Sequence, residues 1–317
     1  MDFLKRHLRW LVVLIGVFFI GGYAAFIAPP TNFPSGNIVV IARGASVSDI
    51  AAELFHARAI KHPTVLQVLL RMSGTSSRVQ AGAYLFKSPE NVFTIAYRLV
   101  AGVYGLPPVR ITFPEGDTVR DIAARVHDAF PNITESDFLV KAQSYEGYLF
   151  PDTYLFSSSS DIESILKTMR TNFETKIATI ADDVSSSGHS LSDIVIMASL
   201  VEKEARTIEN KRIIAGILWS RLSLGMPLQV DAVFGFILGR DTYSPSFADL
   251  KIASPYNTYI HTGLPPGPID NPGMETIEAV LHPTKTSYLY YLTDKEGVMH
   301  YATTYAVHQA NQKRYLQ

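Results

Sequence analysis

The chain has 317 residues, 47% of them hydrophobic, which is enough for one membrane segment and about two compact domains and argues against a disordered polypeptide. Lysine and arginine number 28 and aspartate and glutamate 29, so the net charge is -1 and nucleic acid is not expected as a partner. The absence of cysteine excludes disulfides, thiolate nucleophiles and cysteine-ligated zinc.

An uncharged apolar segment, residues 10–28, is close to the roughly 20 residues that cross a bilayer as a helix. Lys5, Arg6 and Arg9 precede it and no similar cluster follows, so the positive-inside rule places residues 1–9 in the cytoplasm and the rest of the chain outside. The run is longer than the apolar core of an ordinary signal peptide, which favours an uncleaved anchor.

An internal similarity follows a Pro- and Gly-rich linker at 29–36. Residues 38–54 align without a gap with residues 110–126. Each copy predicts a strand, a glycine turn, and a Ser or Thr N-cap that opens an amphipathic helix. The aligned pairs include Gly44 with Gly116, Ser46 with Thr118, and Asp49 with Asp121.

Further elements are predicted between and after the two copies. They are helices over 65–72, 92–100 and 161–180, a strand over 81–86, and an aromatic turn segment over 146–156. The Ser- and Gly-rich loop 185–190 then predicts a boundary between a modular N-terminal half and a catalytic C-terminal half.

A helix is predicted from residue 191 to about 206, capped by Ser190 or Ser192, and it carries Glu202 and Glu204 near its end. At 100° per residue these carboxylates lie about 200° apart, so we expect one of them to face solvent. Helical periodicity does not decide which one, and an ordinary glutamate on such a helix is solvated or salt-bridged.

Other kinds of catalytic site have no support in the sequence. The nine histidines include no HExxH pattern, and there is no GxSxG elbow or glycine-rich phosphate loop, so we predict no metal and no cofactor. Residues 257–268 are dense in turn formers with embedded polar groups, which suits either a rigid surface loop or one wall of a cleft.

A long run of motifs carries a resemblance to a known family. The motifs are EGYLFPDTYLF (146–156), ASLVEKEA (198–205), WSRL (219–222), GMPLQVD (225–231), SPYNTYIHTGLPPGPIDNPG (254–273) and HPTKTSYLYYL (282–292). With them the sequence resembles the YceG-like family, the endolytic murein transglycosylases also called MltG, over nearly all of the exported chain. One departure is Ala232-Val233-Phe234, where the family commonly has Pro-Thr-Val after the aspartate.

The resemblance implies an α+β fold with an N-terminal transmembrane helix, LysM-like α/β modules and a mixed α+β catalytic domain. The expected parts are a cytoplasmic tail (1–9), a transmembrane helix (10–28), a linker (29–36), a LysM-like module (37–107), a second β-turn-α module with connecting helices (108–184), and the catalytic transglycosylase domain (185–317).

The resemblance also implies the chemistry. The family cleaves the MurNAc-GlcNAc β-1,4 bond of nascent glycan strands without water and leaves a 1,6-anhydroMurNAc end, which would terminate strand elongation. The first glutamate of its VEKE motif is catalytic, which is Glu202 here, acting first as acid and then as base. We expect this carboxyl to lie in a partly apolar, desolvated position beside Val195 and Ala198, which would raise its pKa and keep it protonated.

By motif position, Gln229, Asp231, Asn257 and Tyr259 are expected to bind the glycan, although each could equally be a structural hydrogen-bonding residue. The expected location is the cell inner membrane, with the catalytic domain in the periplasm and peptidoglycan synthases as possible partners. Two alternatives stay open: a muramidase-type hydrolase with Asp231 or Asp152 as second carboxylate, and a non-catalytic glycan-binding scaffold of the cell-wall machinery.

Overall fold

The N-terminal helix α1, Asp2–Gly22, continues into a π-helical turn, Tyr23–Ile27. A computed structural model describes residues 2–239 and 245–316, so Met1 and Gln317, the outermost residues of the predicted tail and catalytic domain, lie outside the described residues. The window Trp10–Ile27 has a mean hydropathy of 2.3, and none of it is buried inside the protein. The predicted apolar segment is therefore a helix long and apolar enough to cross a membrane.

The chain is a mixed α+β protein, as predicted, and it divides into two compact units. The first is Met1–Val109 with Phe156–Ser160, and the second is Arg110–Leu155 with Asp161–Gln317. The proposed division into 37–107, 108–184 and 185–317 stays a prediction.

The first unit contains a two-stranded antiparallel sheet with three helices. Its elements are β1 Ile38–Ile41, α2 Val47–His56, α3 Pro63–Met72, β2 Gly82–Leu85 and α4 Val92–Ala101. These bounds confirm the helices and the strand predicted there. Ile38 pairs with Leu85 and Ile41 with Gly82. The helices bury Leu54, Leu66 and Leu99 completely, because each helix carries an apolar stripe at helical spacing.

The remaining elements are mostly helical, with two further strand pairs, β3 with β4 and β5 with β6. They are β3 Val109–Thr112, α5 Val119–Ala129, α6 Glu135–Ala142, β4 Thr153–Phe156, α7 Ile162–Ala178, α8 Ala181–Ser186, α9 Leu191–Glu204, α10 Ile208–Ser223, α11 Val233–Leu238, α12 Met274–Leu281, β5 Tyr290–Thr293, β6 Met299–Ala302 and α13 Tyr305–Tyr315. The helix predicted over 161–180 is α7, and the loop predicted over 185–190 begins inside α8. The aromatic segment 146–156 ends in strand β4.

The internal similarity corresponds to two β-turn-α units, as predicted. In each, the N-cap hydroxyl accepts a hydrogen bond from the backbone of an aspartate three residues later, and that carboxylate accepts one from the N-cap backbone. The two capping boxes are Ser46–Asp49 and Thr118–Asp121. Gly44 and Gly116 have φ values of 77° and 80°, the left-handed region that glycine adopts without steric cost.

The core of the second unit forms where α9 packs against α10 and α12. Helix α9 is buried on every side from Ile194 to Val201, so its backbone is fixed before it reaches Glu202. Core side chains from all three helices include Met197, Leu200, Ile214, Leu218, Ile277 and Val280.

Candidate active site

Helix α9 presents Glu202 on its last turn. Ser190 caps the helix: its hydroxyl accepts a hydrogen bond from the backbone N–H of Asp193, which decides between the two predicted caps. Ser199, one turn before Glu202, donates to the carbonyl of Ile196 and accepts from the backbone N–H of Ile269 at 3.0 Å. This bond fastens the segment that follows Ile269 beside the end of α9.

The Glu202 carboxylate is held by three donors from other elements. The Nζ atom of Lys211, on α10, lies 2.9 Å from Oε1. The backbone N–H of Gly273 donates to Oε2 at 3.0 Å, and the hydroxyl of Thr276, on α12, donates to the same oxygen at 2.5 Å. The side chains of Glu202 and Lys211 are only 8% and 4% exposed. This is a desolvated charge pair whose oxygens also accept neutral hydrogen bonds.

Two expectations about these glutamates were wrong. The Glu202 side chain is desolvated as expected, at 8% exposure, but its carboxylate meets polar donors instead of an apolar wall, and Val195 and Ala198 are buried in the core. Glu204 does not face solvent freely either, since its carboxylate accepts hydrogen bonds from Tyr291 and from the backbone of Ala232. Helix geometry correctly placed the two carboxylates on different faces of the helix. It carries no information about which distant elements pack against each face.

Glu115 lies beside the same site. A Cβ placed on Gly273 would collide with Oε1 of Glu115, so this carboxyl sits directly against the glycine whose N–H binds Glu202. A Cβ placed on Gly116 would lie 3.5 Å from the Cγ of Glu202, and the Gly116 N–H donates to the carbonyl of Asn271 at 2.9 Å. Partial loss of water, followed by the charge of Glu202, raises the pKa of Glu115, which is exposed at the surface.

Two further buried carboxyls lie close by. Asp270 is 0% exposed, and neither side-chain oxygen has a hydrogen-bond partner among residues 2–239 and 245–316. Burial raises its pKa well above the ordinary value; Lys203 lowers it, and the charges of Glu202 and Glu146 raise it. Glu146 accepts hydrogen bonds from the backbone of Val119 and from Asn271, and burial raises its pKa to about 7. The site thus holds more carboxyl groups than the sequence indicated.

Three of the four predicted glycan-binding residues lie elsewhere, and two of them, Asp231 and Tyr259, lie near Glu204. The hydroxyl of Tyr259 donates to Asp231 at 2.5 Å, and the charge of Asp231 contributes to a raised pKa of about 7 at Glu204, of which burial is the larger cause. The Oε1 atom of Gln229 accepts a long hydrogen bond from Arg221 at 3.4 Å. No hydrogen bond joins these residues to Glu202 in the described part of the chain.

The fourth, Asn257, is 0% exposed. Its amide donates to the carbonyls of Leu250 and Ile252, and its oxygen accepts from the backbone of Tyr259. Asp152, one of the alternative second carboxylates, accepts from Asn172 and from the backbone of Thr153. The glycan-binding roles of these residues stay predictions.

The family model described as the YceG-like family matches residues 39–314. The chain belongs to the YceG-like family. A protein of Bacillus subtilis (strain 168) named endolytic murein transglycosylase is 32% identical, over 90% of this chain and 84% of its own length. One of the same name from Streptococcus pneumoniae is 29% identical over 86% of this chain, which spans 57% of the pneumococcal protein.

A YceG-like protein of known crystal structure, from Listeria monocytogenes, has the same fold. It is 30% identical with a TM-score of 0.60, and the match covers 86% of this chain and 98% of that one. The family resemblance read from the motifs is therefore confirmed.

Sequence reasoning missed five residues of this YceG-like site: Glu115, Lys211, Asp270, Gly273 and Thr276. Two of them, Asp270 and Gly273, lie inside the motif 254–273 that carried the resemblance. The position of Glu115 could also have been noticed in the sequence. In the internal alignment it occupies the position of Arg43, so the turn of the second copy has the opposite charge. Lys211 and Thr276 gave no recognisable pattern.

Proposed function

We propose that this protein is an endolytic lytic transglycosylase, a carbon-oxygen lyase that cleaves the MurNAc-GlcNAc β-1,4 bond of peptidoglycan and leaves a 1,6-anhydroMurNAc end. The observation that carries the proposal is the Glu202 carboxylate, held at the end of a rigid helix by Lys211, Gly273 and Thr276. The names of the Bacillus and Streptococcus relatives support the substrate class.

The reaction needs one group that gives and then takes a proton. In its protonated form, Glu202 donates its proton to the glycosidic oxygen as the bond from that oxygen to C1 breaks. The resulting carboxylate then accepts the proton of the C6 hydroxyl. At the same time the oxygen of that hydroxyl bonds to C1, which closes the anhydro ring. Water is neither consumed nor released, and Glu202 ends the cycle protonated, as it began.

The surrounding donors suit the second half of this cycle. Lys211 and the N–H of Gly273 stabilise the carboxylate formed when Glu202 has given up its proton. We propose that Glu115 positions the substrate, since its carboxyl forms part of the exposed edge of the site.

The proposed anchor places this chemistry at the membrane. We propose that α1 crosses the cell inner membrane once, with residues 1–9 in the cytoplasm and the catalytic part in the periplasm, because Lys5, Arg6 and Arg9 precede the span. There the enzyme would meet nascent strands close to their synthases and terminate elongation. We further propose that the β-turn-α units are LysM-like modules.

The four residues predicted to bind the glycan differ in how well their positions suit that role. Tyr259 and Asp231 are partly exposed and hydrogen-bonded to each other, which suits a polar subsite. Gln229 is exposed and has a φ of 53°, a strained conformation that the site would have to maintain. Asn257 is better placed to position Tyr259, whose backbone it holds, than to touch the glycan.

The test is digestion of purified peptidoglycan by wild type, Glu202→Gln and Glu209→Gln. Glu209 is an exposed carboxylate on the neighbouring helix α10, which makes it a matched control. We expect Glu202→Gln to lose about two orders of magnitude or more in the release of anhydro-ended fragments, and Glu209→Gln to resemble wild type. Unchanged release by Glu202→Gln would favour the scaffold alternative.

A further inference from the structure

A basic pocket of about 520 Å³ lies in the first unit, at the end of the N-terminal helix. Four of its lining side chains carry basic nitrogen: His56, Arg58, Lys61 and His62. Among the described residues, no acidic side chain lines it, although the chain as a whole carries slightly more acidic than basic residues. Arg58 and Lys61 therefore give the pocket two positive charges with no acidic partner among its lining residues.

Its position is fixed relative to the apolar helix. Lys61 donates a hydrogen bond to the carbonyl of Ala24 at 2.6 Å, and the rings of Phe26 and His62 are 5.1 Å apart. Pro30, three residues after the span ends at Ile27, also lines the pocket. If α1 crosses the bilayer, as proposed above, the pocket lies at the depth of the lipid headgroups on the side where the chain leaves the membrane.

Arg58 has an unusual backbone for its residue type. Its φ is 63°, and Gln229 is the other non-glycine residue with positive φ in the described parts of the chain. Arg58 follows the C-terminal end of α2, where the N–H of Ala59 returns to the carbonyl of Leu54, and glycine is the usual residue at such a position. A strained arginine in place of glycine points to a function for its side chain.

Ordinary structural roles do not account for the whole set. A basic residue near the end of α2 can interact favourably with the helix dipole, and Lys61 satisfies a carbonyl at the end of the membrane helix. Neither role explains why Arg58 is strained. Neither explains why these side chains line one open pocket together with the apolar Phe55 and Ile60.

We propose that this pocket binds the phosphate group of a membrane lipid. The Arg58 guanidinium and the Lys61 ammonium would bind the phosphate oxygens, with His56 and His62 as further donors. Phe55 and Ile60 would contact the apolar part of the same lipid. The first unit would then be held to the membrane surface by a second contact besides the helix. The phosphate could belong to an anionic phospholipid or to the polyprenyl diphosphate that carries a growing glycan.

The proposal is tested on the full chain in detergent micelles, by native mass spectrometry of the lipid that stays bound. The probes are phosphatidylglycerol, phosphatidylcholine and a polyprenyl diphosphate. The variant is Arg58→Gly, which removes the charge and relieves the strained backbone. The control is Arg71→Gln, an exposed arginine on α3 outside the pocket.

We expect wild type and Arg71→Gln to retain an anionic lipid, and Arg58→Gly to retain about fivefold less of it with no fall in melting temperature. Preference for phosphatidylglycerol would assign a phospholipid, and preference for the polyprenyl diphosphate would assign the glycan carrier. Equal retention by Arg58→Gly and wild type would overturn the proposal, as would equal retention of phosphatidylcholine and the anionic lipids. Bound lipid is measured without any glycan cleavage, so failure here is distinct from failure of the proposed enzymatic function.

Discussion

The ammonium of Lys211 lies 2.9 Å from Oε1 of Glu202, and both side chains are more than nine-tenths buried. Lys211 also lies 3.6 Å from the more exposed Glu275. A buried pair of this kind adds little net stability compared with an apolar pair, but removal of one partner leaves an uncompensated charge. Lys211 therefore has a structural role at the site besides the one proposed for it in the reaction.

Lys211→Met should lower the free energy of unfolding by about 3 kcal/mol, because the Glu202 carboxylate loses its buried counter-charge. In the double variant Glu202→Gln with Lys211→Met, both charges are gone, so the loss should be smaller than the sum of the two single losses. Urea denaturation of the four proteins measures this coupling. Simple additivity would show that the pair does not interact in the folded protein.

Gly273→Ala should displace Glu115, since the new methyl group would collide with its carboxyl oxygen. The glycine has a φ of -77°, which alanine adopts readily, and Glu115 is a flexible exposed side chain, so the stability should change by less than about 1 kcal/mol. Glycan cleavage should nevertheless fall, and Glu115→Ala should lower it similarly. Full activity in both variants would remove Glu115 from the proposed substrate contacts.

Glu146 should make the protein less stable as the pH rises through the acidic range. Its folded pKa of about 7 lies above the ordinary value of 4.5, so between these values the folded state binds more protons than the unfolded state. The free energy of unfolding should therefore fall from about pH 4.5 to about pH 7, by on the order of 3 kcal/mol from this group.

Glu146→Gln tests that dependence, because glutamine does not titrate. Urea denaturation at about pH 5 and about pH 8 should show a smaller decrease for the variant than for wild type. Glu204, whose pKa burial also raises to about 7, contributes in the same direction in both proteins. An identical pH dependence in wild type and Glu146→Gln would contradict the burial of an ionisable Glu146.

Gly216→Ala should be destabilising although it lies within a helix. Alanine is favoured over glycine in helices by about 1 kcal/mol, but here the added Cβ would collide with the backbone carbonyl of Thr284. Overpacking against backbone should make the net change a loss of about 2 kcal/mol. Ser223→Ala, an exposed position on the same helix, is the control. A higher melting temperature for Gly216→Ala than for wild type would show that the backbone around Thr284 moves aside at little cost.

Local signals in the sequence were sufficient for most of the secondary structure. Ser46 and Thr118 predicted helix starts because a capping hydroxyl and its aspartate lie within one turn. The apolar segment 10–28 predicted a helix long enough to span a membrane, because length and hydropathy are also local properties of the sequence. The predicted loop 185–190 overlaps the end of α8, because serines there are compatible with either a helix or a loop.

The surroundings of Glu202 depended on contacts between distant parts of the chain. Its partners Lys211, Gly273 and Thr276 come from two other helices and a loop, and Glu115 comes from the second β-turn-α unit. Helical periodicity describes one element at a time, so it could not predict these contacts. The family motif is the basis for the prediction that Glu202 is catalytic, whereas the expected apolar surrounding rested on its helix neighbours alone.

Glu202 is proposed to drive ring closure by the C6 hydroxyl and not attack by water. Digestion of purified peptidoglycan in water labelled with heavy oxygen, followed by mass spectrometry of the new chain ends, tests it directly. We predict anhydro ends lighter than reducing MurNAc by one water and free of label, and their loss in Glu202→Gln. Labelled reducing ends formed by the wild-type protein would contradict the account and indicate a hydrolase.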